Sequence, residues 1–309
     1  MKKISLTAII LLSLAAVAIG QTAQEFLTRG NQFYKNKQYP EAIANFSEAI
    51  RLSPTAPEPW YNRGQAYYFS GNLDSAISDY TQALRLKPTS VDALFQRGLA
   101  LHKKGNNDAS IADYTQAIGL SPTESQLWYN RGIANSDKGN LDAALADYNQ
   151  AITLSPAYVK ALINRAGVYY KKKQYDLAIA DLDASIKLDA SNAEAWGNRG
   201  MTYLAKNQVD LAIADFNQAI AVNPNYAKGY VDRAIAHNKK GNNPSAIADL
   251  DQALKINPKY LGAYIFRGAI NFDTKKYDLS SADFKKVLEI DPNNKFAKDA
   301  LARIDALPK

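Results

Sequence analysis

The chain has 309 residues, 47% of them apolar and 22% charged, with a formal net charge of +7 and no cysteine. This composition excludes disordered, collagenous and membrane-bundle proteins, and the missing thiols exclude disulfides, thiolate metal sites, a cysteine nucleophile and a lipidated cysteine. The surplus of positive charge is small, favours acidic partners slightly and carries no argument for nucleic acid.

The N-terminus reads as an export signal. Met1-Lys2-Lys3 is a short positive start, residues 4–19 form a mostly apolar run without charge, and Ala18-Ile19-Gly20 places small residues three and one before Gln21. A positive start, an apolar middle and a small-residue exit are the three parts of a secretory signal peptide. Residues 1–20 are therefore expected to be removed, leaving residues 21–22 as a short leader. An uncleaved N-terminal membrane anchor is the competing reading, because the run approaches the length that a bilayer span needs. No later stretch is long and apolar enough to cross a membrane, so the sequence predicts an exported chain, periplasmic or secreted, in a bacterial style.

From residue 23 the chain repeats. Arginine falls at Arg29, Arg63, Arg97, Arg131, Arg165, Arg199, Arg233 and Arg267, each 34 residues after the last. With arginine at position seven, the repeats run 23–56, 57–90, 91–124, 125–158, 159–192, 193–226, 227–260 and 261–294. Position four is large and apolar, as in Phe26, Trp60, Leu94 and Trp128; position eight is Gly or Ala; position twenty is Ala or Ser. Position twenty-four is large, as in Phe46, Tyr80 and Leu182, and position thirty-two is proline except at Ala190.

These columns describe a helical hairpin. Small residues at eight and twenty let two helices approach closely, and large residues at four and twenty-four fill the space beside them. The first helix is predicted to end near position fifteen, where Gly71, Gly105, Gly139, Gly241 and Asn207 tolerate left-handed backbone. The second is predicted to begin at position eighteen, with Asp74, Asp108, Asp142, Asp176, Asp210 and Asp278 as caps and Pro40 and Pro244 suited to a first turn. Residues 295–309 read as one further helix, with Phe296, Ala300 and Ile304 on one face to cap the last repeat.

The period and columns resemble the tetratricopeptide repeat family, whose pattern sets Trp, Leu-Gly, Tyr, Ala, Phe and Pro in series over 34 residues. The resemblance spans residues 23–294. Departures are local: Asn135, His237 and Asn271 stand at position eleven, where an aromatic is usual, and the eighth repeat carries Ser280 and Val287 at small-residue positions. The resemblance implies an all-α, right-handed superhelical solenoid of eight helix-turn-helix repeats plus a C-terminal capping helix. It also implies a non-enzymatic protein-interaction scaffold, with ligands along the inner face at positions two, five, six, nine, twelve and thirteen.

Four sets of residues carry candidate roles. Arg63, Arg97, Arg131, Arg165 and Arg199 recur with Asp79, Asp113, Asp147, Asp181 and Asp215 at position twenty-three, and are expected to form a structural ladder of bidentate pairs. Tyr61, Phe95 and Tyr129 at position five, with Tyr34, Tyr68 and Tyr170 at position twelve, are expected to line the groove. Asn62, Asn130, Asn164 and Asn198 at position six can each donate to and accept from an extended peptide backbone. This is similar to the asparagine row in the tetratricopeptide domain of O-linked N-acetylglucosamine transferase, although Thr28, Gln96, Asp232 and Phe266 interrupt it. The carboxylate clamp of chaperone-binding members is present only in fragments, Leu27 and Asn31, then Asn62, then Asp92 and Gln96.

The fourth set is a lysine edge at the hairpin turns, Lys103-Lys104, Lys171-Lys172-Lys173, Lys239-Lys240 and Lys275-Lys276. These lysines either complement helix dipoles or offer a basic edge to anionic glycans or lipid headgroups. A third reading is a self-associating structural element whose ends stack. His102 and His237 lie too far apart in the array for one metal site, and nucleotide, HExxH and GxSxG fingerprints are absent. No catalytic residue, cofactor or metal ligand is expected, and the expected partner is a protein or peptide held in the concave groove.

Overall fold

The computed structural model describes residues 22–307, and the expected export signal at residues 1–20 lies outside them. Among the described residues there are helices and turns and no strand. Helix α1 covers residues 22–35 and pairs with α2 (Tyr39–Leu52). Next come α3 (Pro57–Phe69) with α4 (Leu73–Leu86), α5 (Val91–Lys103) with α6 (Asn107–Leu120), and α7 (Ser125–Lys138) with α8 (Leu141–Leu154). Then follow α9 (Val159–Lys171) with α10 (Tyr175–Leu188), α11 (Ala193–Ala205) with α12 (Val209–Val222), α13 (Ala227–Lys239) with α14 (Asn243–Ile256), and α15 (Leu261–Asp273) with α16 (Tyr277–Ile290). Helix α17 (Lys295–Asp305) closes this all-α solenoid of eight hairpins. The hairpins fall into two compact units, divided between Pro156 and Ala157. No described helix is long and apolar enough to cross a membrane.

Every hairpin turns in the same way. Position fifteen is left-handed in all eight repeats: Gly71, Gly105, Gly139 and Gly241 at φ of 89°, 79°, 88° and 77°, and Asn207 at 62°. Lys37, Lys173 and Lys275 take the same conformation at 59°, 59° and 62°, which their residue type does not announce. The next N–H donates back to the carbonyl of position eleven, as Asn72 does to Tyr67 and Gln174 to Tyr169, both at 2.8 Å. That closure satisfies a helix-terminal carbonyl and is indifferent to the side chain at position fifteen. A left-handed lysine costs about 1 kcal/mol that glycine does not. Lys173→Gly is therefore expected to raise the unfolding free energy by roughly that amount in urea denaturation. An unchanged or lowered midpoint would show that a contact of the lysine offsets the strain.

The second helix starts one residue before the aspartates predicted to cap it. Position sixteen is the cap: the side chains of Asn72, Asn106 and Asn242 accept from the backbone N–H groups of Ser75, Ala109 and Ser245 at 3.2, 3.3 and 3.2 Å. Asp74, Asp108, Asp142, Asp176, Asp210 and Asp278 stand at the second helical residue, where a carboxylate complements the helix dipole without capping it.

The packing of each hairpin depends on one pair of residues. A Cβ built on Gly64 would lie 2.8 Å from the Tyr80 ring, on Gly132 2.7 Å from Tyr148 and on Gly200 2.6 Å from Phe216. Where position twenty-four is Leu182 or Leu250, position eight is Ala166 or Ala234, and all four are buried. Consecutive hairpins are joined at position four, where the indoles of Trp60, Trp128 and Trp196 donate to the carbonyls of Pro54, Pro122 and Ala190 at 3.1, 2.9 and 2.9 Å. The bond goes to the carbonyl oxygen, so alanine at residue 190 serves as well as proline.

Within each unit the first helices of consecutive repeats touch, α3 with α5 and α5 with α7, then α9 with α11, α11 with α13 and α13 with α15. Consecutive second helices make no comparable contact among the described residues. The first-helix side is therefore the concave one. Helix α17 packs Ala297, Leu301 and Ile304 against Phe284 and Val287. Phe296, expected on that covering face, is instead 54% exposed and meets Phe284 by its edge at 5.8 Å. The Asn294 cap, which accepts from the Ala297 N–H at 3.1 Å, starts the helix so that the small Ala297 meets the core.

Candidate functional site

The arginine column lies between hairpins. Arg63 donates from Nε and Nη2 to both carboxylate oxygens of Asp79 at 2.7 and 2.9 Å, and from Nη1 to Ser47 of the preceding repeat at 2.9 Å. Arg97 bridges Asp113 and Thr81, Arg131 bridges Asp147 and Thr115, Arg199 bridges Asp215 and Asp183, Arg233 bridges Asp249 and Asn217, and Arg267 bridges Asp283 and Asp251. Arg165 donates to Asp181. Each arginine thus ties its own second helix through position twenty-three and, in the rungs just named, the preceding repeat through position twenty-five. The carboxylate hydrogen bonds hold the Arg165, Arg199, Arg233 and Arg267 guanidiniums above their ordinary range.

The departures at position eleven join the same network. Asn135 donates to Asp147 at 2.9 Å, His237 lies 3.9 Å from Asp249, and Asn271 donates to Asp283 at 3.5 Å. Where position eleven keeps its tyrosine, the arginine lies over the ring instead, Arg63 over Tyr67 at 5.8 Å and Arg199 over Tyr203 at 5.8 Å.

A second ladder occupies the lysine edge. Lys104 pairs with Asp74 of the preceding repeat, Lys138 with Asp108, Lys206 with Asp176, and Lys240 with Asp210, the last at 2.6 Å. Where position eighteen is proline, the residue opposite is not lysine: Pro40 precedes Ser70, and Pro244 precedes Thr274. Exposed pairs of this kind add little stability, but they remove charge from the edge. Lys239 donates to the Leu204 carbonyl, and Lys103 lies 5.1 Å from the Tyr68 ring centre.

The ladders leave the concave first-helix face. In the first unit, Tyr61, Phe95 and Tyr129 are half-buried and lean on Tyr80, Tyr114 and Tyr148 at centroid distances of 5.9, 5.9 and 6.1 Å, so they form the groove floor. Burial pushes the Tyr61 phenol up to about 12, with Asp92 and Tyr34 adding to it, and Gln65 donates to its oxygen at 2.9 Å. Asn62 donates one N–H to Asn31 at 3.0 Å, and Asn130 donates to its own helix at Gln126 at 2.8 Å. Tyr34 meets Tyr39 and Phe69, and Tyr68 stands edge-on to Phe69 at 5.3 Å. Phe69, at position thirteen, was not among the predicted groove aromatics although its position lies on the inner face.

In the second unit, Asn164 is half-buried on α9, while Asn198, Tyr170, Met201 and Lys228 line a concavity of about 240 Å3. Lys228 donates to Asp232 at 2.5 Å. Asp232 is buried, and desolvation holds its carboxyl above the usual range despite the opposing pull of Lys228. The groove aromatic missing at position five of the sixth repeat is supplied from elsewhere. Tyr226 lies against Gly197 and Gly229, where built Cβ atoms would stand 3.2 and 2.7 Å from it. The lone carboxylate in a column of amides was the signal for Asp232; nothing in the repeat frame pointed to Tyr226.

Comparison with known families agrees with this architecture. One family model described as TPR repeat matches residues 30–71 and 64–105. Two described as tetratricopeptide repeat match residues 193–226, and residues 95–159, 129–193 and 231–295. No curated protein sequence matches the chain. Among solved structures, a tetratricopeptide repeat protein from Parabacteroides merdae superimposes with a TM-score of 0.67 at 22% identity over 81% of this chain and 98% of its own. The C-terminal part of a TPR repeat-containing protein from Cytophaga hutchinsonii gives 0.57 at 20% identity over 89% and 99%. The APC/C hetero-tetramer Cut9-Hcn1 gives 0.62 at 16% identity over 90% of this chain and 55% of that one. At these identities the structures share the fold.

Proposed function

Because the chain belongs to the tetratricopeptide repeat family, we propose that it is a non-enzymatic scaffold that holds a protein or peptide partner along its concave first-helix face, in an exported setting. The observation that carries this reading is the division of labour among the columns. The arginines, the aspartates at position twenty-three and the lysines at position fourteen are engaged in the two ladders, and the small, large and proline columns in packing and turns. The groove face keeps tyrosines on its floor and side-chain amides above them, Asn62 retaining its carbonyl oxygen and Asn198 its whole amide for a ligand. Such a surface grips an extended backbone through amides and buries side chains on rings.

Two competing readings lose support. A basic edge for anionic polymers is weakened because two of its lysines, Lys104 and Lys240, pair with Asp74 and Asp210, as Lys138 and Lys206 at the same repeat position do with Asp108 and Asp176. End-to-end stacking would need the arginine ladder to continue between copies. Yet the face of the last repeat that a following copy would need is already taken by α17, whose Ala297, Leu301 and Ile304 pack on Phe284 and Val287. The test is affinity capture from an envelope extract, with the wild-type chain beside one carrying Asn62, Asn130, Asn164 and Asn198 changed to Ala. The partner is expected to stay with the wild type through a rise in salt and to be lost by the variant, whose helical circular dichroism is unchanged. Equal capture by both would remove the amide row from the site.

A further inference from the structure

We propose that the concave face of the second unit ends in a pocket for a basic side chain of the bound peptide, an arginine above all. The inference rests on the groove reading above and specifies one of its subsites. A concavity of about 250 Å3 lies among α15, α16 and α17. Phe284, fully buried, forms its floor; Phe272 and Phe296 form its walls; Asp273, Asp299 and Arg303 stand around them. Phe296 and Asp299 occupy the positions on α17 that correspond to positions two and five of a first helix, so the pocket continues the groove face.

The charges here differ from those of the rest of the array. The aspartates at position twenty-three are all engaged by arginine, and most of those at position eighteen by lysine. Asp273, Asp299 and Arg303 have no side-chain partner among the described residues, and Arg303 lies beyond ion-pair distance of either carboxylate. The pocket is therefore net negative and walled by rings, one of them more than half exposed.

A ligand that suits both features carries a cation on an apolar or planar stem. A guanidinium stacks on a phenyl face and pairs with a carboxylate through two hydrogen bonds; an ammonium does only the second well. A carboxylate or phosphate would meet two like charges, and a purely apolar side chain would desolvate the aspartates without pairing them. Arg303 opposes the incoming cation, so its removal strengthens binding.

The experiment titrates acetyl-arginine amide into the full chain and follows the backbone amide resonances of Phe296 and Asp299, with acetyl-citrulline amide as the neutral isostere and acetyl-glutamate amide as the anion. Saturable shifts are expected for the arginine probe, with affinity about fivefold weaker for citrulline and no saturation for glutamate. The exposed double variant Asp273→Asn/Asp299→Asn is expected to weaken the arginine probe by about fivefold and Arg303→Ala to tighten it, both with unchanged circular dichroism. Equal binding of citrulline, an unaffected double variant, or no saturable shift at Phe296 would each overturn the pocket. The readout needs no natural partner. Loss of the pocket therefore leaves the asparagine test standing, and failure of that test leaves the pocket measurable.

Discussion

Arg97→Ala is expected to lower the unfolding free energy by about 3 kcal/mol, whereas Lys87→Ala, at an exposed site of the same unit, changes it by less than about 0.5 kcal/mol. The difference follows from what is left behind. Asp113 is 5% exposed and takes both its carboxylate bonds from Arg97, so the truncation strands a buried charge and also cuts the link to Thr81 of the preceding repeat. The intact pair adds little by itself, since desolvating two charges opposes their attraction; the penalty comes from breaking one side. Arg131→Ala is expected to cost less than Arg97→Ala, because Asn135 still donates to Asp147 at 2.9 Å, while position eleven of the third repeat is Leu101, which has no side-chain donor. Urea unfolding followed by circular dichroism checks both. Each repeat contacts only its neighbours and the array can lose cooperativity, so the comparison is of midpoints and slopes together. Equal midpoints for Arg97→Ala and Lys87→Ala would sink the ladder as a structural device.

The second large effect is in the hairpin core. Gly132→Ala is expected to destabilise by about 2 kcal/mol, since its new methyl would stand 2.7 Å from the Tyr148 ring, which is buried and has no room to retreat. Tyr148→Leu is also destabilising, by about 2 kcal/mol, through the cavity left by the ring. Together they recreate the alanine–leucine pair already present as Ala166 with Leu182 and Ala234 with Leu250. The double variant is therefore expected to be more stable than the sum of the singles by at least about 1 kcal/mol, a coupling that a double-mutant cycle measures directly. Strict additivity would mean that glycine at position eight serves something other than clearance for the ring.

The hairpins themselves were legible in the sequence because the same small and large residues return every 34 positions, and the period alone fixes which of them meet. The details that escaped were those in which one backbone conformation is filled by different residue types, or in which partners belong to different repeats. Lysine at residues 37, 173 and 275 hides a left-handed turn that glycine advertises elsewhere. Aspartate is a good cap, which makes Asp74 the expected one, but the asparagine two residues earlier takes that place and the aspartate serves Lys104, thirty residues away. Asn135 departs from the aromatic pattern at position eleven, and its role, donating to Asp147 on the second helix, is visible only in the packed hairpin. At the candidate site the columns put Tyr61, Phe95 and Tyr129 at one position of consecutive first helices, while their packing on Tyr80, Tyr114 and Tyr148 depends on ring orientation that the columns do not carry. Tyr226 and the pocket beside Phe296 depend on the tilt of particular side chains, which periodicity does not encode.

The central claim, that a partner lies along the first-helix face, is tested most directly by placing a photo-crosslinking residue at single positions in the producing cell. Asn62 and Asn198 sample the concave face, and Leu120 and Leu211, 42% and 49% exposed on second helices, sample the opposite one. The account predicts one protein partner, crosslinked from positions 62 and 198 and not from 120 or 211. A partner trapped from 120 and 211 alone would contradict it and move the working surface to the outer helices.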